Sequence, residues 1–398
     1  MILKTYSYRI YPNKTQEELL IKFFGSVRFV YNWGLEQKIK SYKETGKSLS
    51  WIDLDRLSTN LREANPWLTE APSQSLTAAF RNLDRAYINF FNHTGKFPKF
   101  KTLRSRQSFQ YPQHVEVDFN LKKIYLPKIG WIKYRDPRVF EGKIKTTTIV
   151  KTTTNKYFAQ ILVELPDEVP AKKPITKDTT LGIDVGLTTF ATLSDGTKLD
   201  NPKFLKKSLK KLRRVNRKLS RTKKGSKNRE KARIRLAKGY EDIKNQRNDF
   251  LHKLSTKIVN ESQINSIAVE TLNIAGMLQN SKLARSISDA SWSEFIRQLE
   301  YKCNWKGKNF VKIGRFFPSS KLCDCGEKNK LLELSDRMWT CTDCGRIHDR
   351  DILAANNIKD EGFRILSTGS KPGINVSGDM IVLDQPTKEK ICSLGSCV

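Results

Sequence analysis

Hydrophobic and polar positions alternate with a period of two along residues 2–12, which predicts a β-strand at the start of the chain. A proline ends this pattern. Asn13, followed three residues later by Gln16, has the form of a helix N-cap with its capping-box partner. Apolar residues then recur at helical spacing over residues 19–31 and again over 73–91. The first hundred residues are therefore predicted to be one strand followed by helices.

A different pattern fills residues 115–165. Runs rich in Val, Ile, Thr and Tyr are interrupted by Gly130, Gly142 and Asn155, which predicts antiparallel strands arranged as a small β-barrel. Residues 166–180 form a polar connector that contains proline, and a domain boundary is expected there. A chain of 398 residues has room for two to four such domains.

The second half of the chain mixes short apolar runs with long helical patterns, as expected for an α/β domain. In chain order the predicted elements are a strand hairpin at 180–194, a helical hairpin at 203–260 that turns at Gly225, a strand at 264–269, a helix at 286–305, a strand at 310–317 and a helix that begins near His348. Beyond about residue 366 the sequence is rich in Gly, Ser and Pro, and this tail is predicted to be disordered.

Charge narrows the choice of function. The chain carries 73 Lys and Arg against 41 Asp and Glu, a formal net charge of +32. A positive field of this size attracts the phosphate backbone of nucleic acids. An anionic membrane is the competing partner, but no apolar run is long enough to span a bilayer and the first residues lack the apolar core of a signal peptide. A soluble, intracellular protein is expected.

Two segments combine cations in a way that favours nucleic-acid binding. In the first, stacking rings alternate with phosphate-binding cations, and its candidate contact residues are Lys96, Phe97, Lys99, Phe100, Lys101, Arg104 and Tyr111. The second is the start of the helical hairpin, with Lys210, Arg213, Arg214, Arg217, Lys218 and Arg221. The alternative for the first segment is a solvated loop anchored by its aromatic residues, and for the second a solvated helix face.

Three acidic residues stand where rigid elements begin or end. Asp184 lies within a predicted strand, Glu270 ends another, and Asp351 lies at the start of a predicted helix. Carboxylates that converge from distant segments suit Mg²⁺, which requires oxygen ligands, and two such ions can cut a phosphodiester. Asp349 is the alternative to Asp351.

Four of the seven cysteines fall in one short window, which favours a metal site over disulfides. Cys341 and Cys344 have the spacing of a zinc knuckle, whereas Cys323 and Cys325 are separated by only one residue. The shortened pair should prevent the usual hydrogen bonds of a knuckle. A tetrahedral Zn²⁺ site is predicted, and the alternative is a degenerate ribbon in which Asp324 or His348 substitutes.

Motifs spread along nearly the whole chain resemble those of the TnpB family of transposon-encoded RNA-guided DNA endonucleases, relatives of type V CRISPR effectors. The matching segments, specific in their order and spacing, are Tyr8-Arg-Ile-Tyr-Pro, Arg28-Phe-Val-Tyr-Asn, Asn82-Leu-Asp-Arg-Ala-Tyr, Phe97-Pro-Lys-Phe-Lys, Gly182-Ile-Asp-Val-Gly, Phe250-Leu-His-Lys-Leu, Glu270, Phe317-Pro-Ser-Ser-Lys, the four cysteines and Asp349-Arg-Asp.

The resemblance implies an α/β plus β architecture. It comprises a wedge-like β-barrel domain at 1–12 and 97–174, a helical recognition domain inserted at 13–96, an RNase H-like RuvC nuclease domain at 175–318 and 347–368, a zinc ribbon at 319–346 and a tail at 369–398. Asp184, Glu270 and Asp351 match the family's three catalytic acids and would hold two Mg²⁺ ions. Guide RNA and double-stranded target DNA are the implied partners, and a monomer is favoured.

The chain departs from the family pattern at two points. Leu353 stands where the family usually has asparagine, and the first cysteine pair is shortened. All three acids are nevertheless present. The expected function is therefore RNA-guided DNA cleavage beside a short transposon-adjacent motif. An RNA-guided DNA-binding repressor that has lost cleavage is the main alternative, and a DNA-joining transposase is another.

Overall fold

A computed structural model describes residues 2–333 and 336–369. The chain divides into two compact units, one formed by residues up to 168 together with 221–238, the other by 169–220 together with the residues from 239 onward. The predicted disordered tail at 369–398 lies outside the described residues, apart from Gly369. The five-part domain assignment remains a prediction.

The first unit is built on one antiparallel sheet of seven strands. They are β1 (Ile2–Tyr11), β2 (Gln107–Tyr111), β3 (Glu116–Asp118), β4 (Lys123–Leu126), β5 (Gly130–Tyr134), β6 (Lys143–Lys151) and β7 (Tyr157–Leu165). Their order is β2-β6-β7-β1-β5-β4-β3, so the first strand of the sequence lies in the middle. Within the described residues the edge strands β2 and β3 do not pair with each other. The antiparallel strands are confirmed, and the closed barrel is not.

Three helices accompany this sheet: α1 (Lys14–Thr45), α2 (Trp51–Ala64) and α3 (Ser73–Phe91). The predicted capping box is present, because the Gln16 amide donates to Asn13 Oδ1 at 2.9 Å and the Asn13 amide donates to Gln16 Oε1 at 3.0 Å. Phe23 of α1 and Phe80 of α3 share one buried cluster with Tyr8 of the sheet. Helix α2 was not predicted.

The second unit contains a five-stranded sheet in the order β10-β9-β8-β11-β12. Its strands are β8 (Thr180–Val185), β9 (Thr189–Leu193), β10 (Lys198–Asp200), β11 (Ser266–Glu270) and β12 (Asn309–Ile313). Strands β8 and β9 form the predicted hairpin, and β11 runs parallel to both β8 and β12. The carboxyl ends of β8, β11 and β12 therefore meet at one edge of the sheet.

The remaining helices are α4 (Phe204–Ser220), α5 (Lys227–Asn260), α6 (Ile274–Met277), α7 (Ala284–Ala290), α8 (Trp292–Trp305) and α9 (Arg350–Thr368). A two-stranded hairpin, β13 (Met338–Thr340) and β14 (Ile347–Asp349), precedes α9. No helix among the described residues is both long and apolar enough to cross a membrane.

Two predicted elements need correction. The helix expected at 286–305 is broken at Ser291, whose positive φ of 56° ends α7 before α8 begins. The strand expected at 310–317 ends at Ile313 because a turn follows, in which the Phe317 amide donates to the Gly314 carbonyl at 3.2 Å.

Helix α9 lies directly on the sheet, and two glycines permit this close approach. A Cβ added to Gly182 would lie 2.0 Å from the Ala355 carbonyl oxygen of α9, and one added to Gly362 would lie 2.3 Å from Ala268 Cβ of β11. Such distances are far inside van der Waals contact. The two glycines therefore set the distance between the helix and the sheet.

We predict that Gly182→Ala destabilises the protein by about 1 to 3 kcal/mol, because the methyl group forces α9 away from β8. Gly25→Ala is the matched control: Gly25 lies inside α1 and no atom lies within 4 Å of the place that an added Cβ would take, so the change should raise stability slightly. Thermal and urea unfolding of both variants measure the difference. Equal stabilities for Gly182→Ala and the wild type would contradict the packing argument.

Candidate active site

Two of the predicted acids come from neighbouring parallel strands. Val269 pairs with Ile183 in the β11–β8 ladder, so the next residues along the two strands, Glu270 and Asp184, lie side by side at the carboxyl edge. Both side chains are partly buried. The sheet register alone brings together acids that are far apart in sequence.

Asp351 reaches the same region from the first turn of α9, and the structure distinguishes it from Asp349. The Asp349 carboxylate caps the helix, accepting from the amides of Asp351 and Ile352 at 3.0 and 3.2 Å. It also pairs with Lys198 at 2.7 Å. Burial alone would raise the pKa of Asp349, but the Lys198 ammonium and the two amides together lower it. Asp349 therefore caps the helix, whereas Asp351 is the acid of this turn whose charge acts on Asp184.

Electrostatics link the three acids. Burial, together with the nearby negative charges of Glu270 and Asp351, raises the pKa of Asp184 to about 7. Burial also raises the pKa of Glu270. A partly buried carboxyl group beside two other acids marks a place that favours added positive charge. The all-oxygen donor set is the one that Mg²⁺ prefers.

Arg337 is a further member of this site that sequence reasoning missed. Its Nη1 donates to Oδ1 and Oδ2 of Asp351 at 3.1 and 3.3 Å, and its Nη2 lies 3.4 Å from Thr188 Oγ1. The guanidinium is more than half exposed. Arg337 comes directly before β13, and only the fold of the hairpin brings it to the acids, so no spacing in the sequence could have identified it.

The four predicted cysteines converge. Their sulfur atoms all lie within 4.8 Å of one another, with Cys323 and Cys344 at 3.5 Å and Cys325 and Cys341 at 3.7 Å. Thiolates bound at about 2.3 Å to one tetrahedral zinc ion would be about 3.8 Å apart. The amide of Cys344 contributes most to lowering the pKa of the Cys341 thiol to about 7. The cluster therefore has the donors and the separations of a zinc-binding site.

The shortened cysteine pair forms a tighter turn, so its backbone hydrogen bonds differ from those of the longer pair, as the sequence predicted. The Gly326 amide donates to the Cys323 carbonyl at 2.9 Å, whereas in the longer pair the Gly345 amide donates to the Cys341 carbonyl at 3.0 Å. Both glycines have positive φ, 96° and 70°. The shortened pair thus closes its turn over four residues, from Cys323 to Gly326, where the longer pair takes five, and a glycine accommodates the left-handed backbone at the end of each turn.

Neither alternative residue is needed to complete the four-sulfur set. His348 Nε2 lies 3.1 Å from Cys323 Sγ, and the His348 ring packs on Trp339. This histidine therefore contacts one cysteine of the cluster and does not replace any of the four sulfur atoms. Asp324 pairs with Arg346 at 3.4 Å. Within the described residues, the four cysteine sulfur atoms lie close enough together to bind one ion without a fifth side chain.

The cysteine cluster is joined to α9 by an apolar contact and by hydrogen bonds. Leu353, the residue that departs from the family pattern, is buried with Cys323, Cys341 and Trp339. One turn later, Asn357 Nδ2 donates to the carbonyls of Ser319 and Leu322, each at 2.7 Å. The same helical turn thus carries Asp351 towards the acids and Leu353 towards the cysteines.

The predicted nucleic-acid contacts divide into exposed and buried residues. Phe97 and Phe100 are 45% and 54% exposed, as a stacking surface requires. Tyr111 is only 2% exposed and its hydroxyl donates to the Pro127 carbonyl, so it belongs to the core and the expected contact is corrected. Lys101 packs over the Tyr31 ring, where burial lowers its pKa. Lys96, Lys99 and Arg104 remain exposed.

Helix α4 presents its cations to solvent. Lys210, Arg213, Arg214, Arg217, Lys218 and the following Arg221 are all exposed, and only Leu212 of this helix is buried. The amino end of α4 is held by Asp289, whose carboxylate accepts from the amides of Leu205 and Lys206 and pairs with Arg247 at 3.0 Å. A fixed helix with an uncompensated basic face suits a polyanion.

The raised pKa of Asp184 predicts a pH-dependent stability in chelator-treated protein. Below about pH 4 this carboxyl is protonated in both the folded and the unfolded chain, and above about pH 7 the folded chain bears an unfavourable charge. Asp184→Asn should therefore increase the free energy of unfolding at pH 8 by up to about 4 kcal/mol, which raises the melting temperature. At pH 4 the melting temperature should be unchanged. Asp178→Asn, at an exposed acid before β8, is the control. A variant that melts no higher than the wild type at pH 8 would contradict the inferred cost of burying an ionised Asp184 beside Glu270 and Asp351.

Three family models match the chain. "Probable transposase" of the OrfB IS605 type matches residues 160–281, which include Asp184 and Glu270. "Cas12f1-like, TNB domain" matches 292–358, which include the four cysteines and Asp351. "Helix-turn-helix domain" of the same OrfB IS605 type matches 1–47, although the described part of that range forms one strand and one long helix.

Whole-chain relatives agree with these matches. A protein of Streptomyces pristinaespiralis named "Putative RNA-guided DNA endonuclease" is 37% identical over 92% of this chain and 91% of its own length. The Escherichia coli K12 protein named "Putative RNA-guided DNA endonuclease InsQ" is 32% identical, covering 92% and 94%. The chain shares its fold, at a TM-score of 0.56 and 14% identity, with the protein in "Cryo-EM structure of the Cas12f1-sgRNA-target DNA complex", covering 90% of this chain and 98% of that one. The chain therefore belongs to the TnpB family of transposon-encoded proteins.

Proposed function

We propose that this protein is an RNA-guided DNA endonuclease that binds a non-coding guide RNA, recognises a short motif beside a transposon end and cuts the target DNA in one RuvC-type site. The observation that carries this proposal is the convergence of Asp184, Glu270 and Asp351, with the pKa of Asp184 raised to about 7. A partly buried group of acids is costly unless its charge is compensated, as it would be by bound cations. The names of the relatives support the choice of DNA cleavage.

Each acid would bind metal from a rigid support. Asp184 and Glu270 project from adjacent strand ends, while Asp351 lies in a helix start fixed by the Asp349 cap. Two bound Mg²⁺ ions would supply an activated water and stabilise the leaving oxygen of the phosphodiester. Arg337 holds Asp351 in place, and its exposed guanidinium provides positive charge beside an incoming phosphate.

Guide RNA and target DNA would bind to the basic surfaces of the protein. The exposed cations of α4 and the exposed part of the 96–104 segment offer phosphate contacts without a fixed sequence preference. Such contacts hold RNA through its shape and backbone, while base pairing selects the target. The sequence of the guide then sets specificity.

A groove in the first unit suits recognition of a short DNA motif. It encloses about 490 Å³ between α3 and the outer face of the sheet, and its lining includes Arg81 and Arg85. Its floor carries Gln110, Thr148 and Gln160, which face one another across β2, β6 and β7. Amide and hydroxyl groups can read base edges, while arginines bind phosphate or guanine.

Zinc would have a structural role. A Zn²⁺ ion in the four-cysteine cluster would hold the β13–β14 hairpin, which carries Arg337, against the helical turn that carries Asp351. Structural zinc contributes folding energy directly, because small ribbons lack a sufficient core of their own. The proposed zinc ion would therefore affect cleavage indirectly, by fixing the position of Arg337 relative to Asp351.

The main alternative is an RNA-guided repressor that binds without cutting. Burial and two neighbouring acids raise the pKa of Asp184, and a protein that had lost cleavage would have no need to keep this arrangement. This chain retains all three, with Asp184 and Glu270 in register. The intact arrangement favours the endonuclease.

We predict that Asp184→Ala, Glu270→Ala and Asp351→Ala each slow cleavage at least about 1000-fold, since each removes several kcal/mol of charge stabilisation. DNA binding by the RNA-loaded protein should remain nearly unchanged, because the phosphate contacts lie elsewhere. Single-turnover cleavage and gel-shift titration measure the two effects.

Asp349→Asn is the matched control for Asp351. It should cost about 1 kcal/mol of stability through the weakened cap yet keep cleavage within a few-fold of the wild type. Cleavage lost in Asp349→Asn and retained in Asp351→Ala would reverse the assignment of the two residues.

Elemental analysis should find about one zinc per chain, and Cys341→Ser should lose it. The variant should also cut more slowly, because the hairpin that carries Arg337 loses its support. Cys303→Ser, at a buried cysteine outside the cluster, should retain zinc. Zinc-free native protein with full activity would show that the ribbon folds without metal.

A further inference from the structure

A turn at the carboxyl edge of the second sheet has no place in the mechanism described above. Glu270 pairs with Ile313, the last residue of β12, and Thr271 Oγ1 donates to the Ile313 carbonyl at 2.7 Å. The chain beyond Ile313 therefore leaves the sheet next to Glu270. Three residues span at most about 10 Å, so Phe316 lies within about 10 Å of Ile313, the strand partner of Glu270.

Both ends of this turn are fixed. The Phe317 amide donates to the Gly314 carbonyl at 3.2 Å, and the Phe317 ring packs on the apolar cluster under α9. Beyond it, the Ser319 carbonyl accepts from Asn357 at 2.7 Å. The tip of the turn is thus held on a rigid support.

The tip displays an aromatic ring and a cation together. Phe316 is 88% exposed, and the Arg315 guanidinium lies 5.2 Å from its ring centroid. In the described part of the chain Arg315 has no acidic partner within ion-pair distance. An open ring face beside an unneutralised guanidinium is the combination that binds a base and its phosphate in single strands.

We propose that Phe316 stacks on an unpaired base of the DNA strand being cut and that Arg315 binds the adjacent phosphate, so that the turn holds the strand against Asp184, Glu270 and Asp351. This inference rests on the proposed nuclease function and adds a substrate-binding element to its site. It also gives the site a preference for opened, single-stranded DNA, because a base inside a duplex has no free face for the ring.

The test is single-turnover cleavage by the RNA-loaded protein of a DNA duplex matched to its co-purified RNA. Phe316→Ala should cut about 5- to 150-fold more slowly, the loss expected for one base–aromatic stack. Phe316→Tyr should restore the rate to within a few-fold, and Phe316→Leu should behave like the alanine variant. An unchanged melting temperature in Phe316→Ala would exclude general destabilisation.

A substrate change identifies the partner base. An abasic nucleotide at the stacked position should slow the wild type as much as Phe316→Ala does and have no further effect on that variant. Equal rates for wild type and Phe316→Ala, or additive losses at every abasic position, would overturn the proposal.

A binding measurement separates this proposal from the proposed function. In an Asp184→Ala background, a single-stranded DNA oligonucleotide containing 2-aminopurine should show quenched fluorescence that Phe316→Ala abolishes. No quenching difference would overturn the stacking proposal. A wild type that cuts no DNA, yet shows the quenching difference, would refute the endonuclease and leave the strand-binding turn supported.

Discussion

The close contact between α9 and the sheet is the constraint on which the candidate site depends. Gly182 and Gly362 leave no room for a methyl group between the helix and strands β8 and β11. Asp349 fixes where the helix begins. Together these contacts set both the distance and the axial position of Asp351 relative to Asp184, and carboxylates that share metal ions tolerate little error in either.

The first turn of α9 also couples two sites of different chemistry. Asp351 belongs to the carboxylate group, while Leu353 is buried against the cysteine cluster. A displacement of the ribbon would therefore be transmitted to the acids through a few atoms of one helical turn. The apolar Leu353 achieves this link by burial, which requires no hydrogen-bond partner inside the cluster.

Positive and negative charge occupy different places in this protein. Many of the cations behind the net charge of +32 lie on exposed faces such as that of α4, in which only Leu212 is buried. Burial and the nearby charges of Glu270 and Asp351 raise the pKa of Asp184, while Arg337 pairs with Asp351 of α9 and Lys198 pairs with the capping Asp349. A basic exterior favours the approach of nucleic acid, and an acidic centre favours added positive charge.

Features that depend on near neighbours along the chain could be predicted from the sequence, whereas contacts between distant segments could not. Alternation predicted β1 and the β8–β9 hairpin, and the pair of Asn13 and Gln16 predicted the start of α1, because strand pleating and helix capping act within a few residues. The spacing of the cysteines, together with the family resemblance, likewise identified the metal-ligand cluster. By contrast, the helix-capping contacts of Asp349, the pairing of Arg337 with Asp351 and the burial of Tyr111 became clear only in the folded chain. Local sequence cannot specify such contacts, because they are set by which surfaces meet and by how much volume the packed elements leave between them.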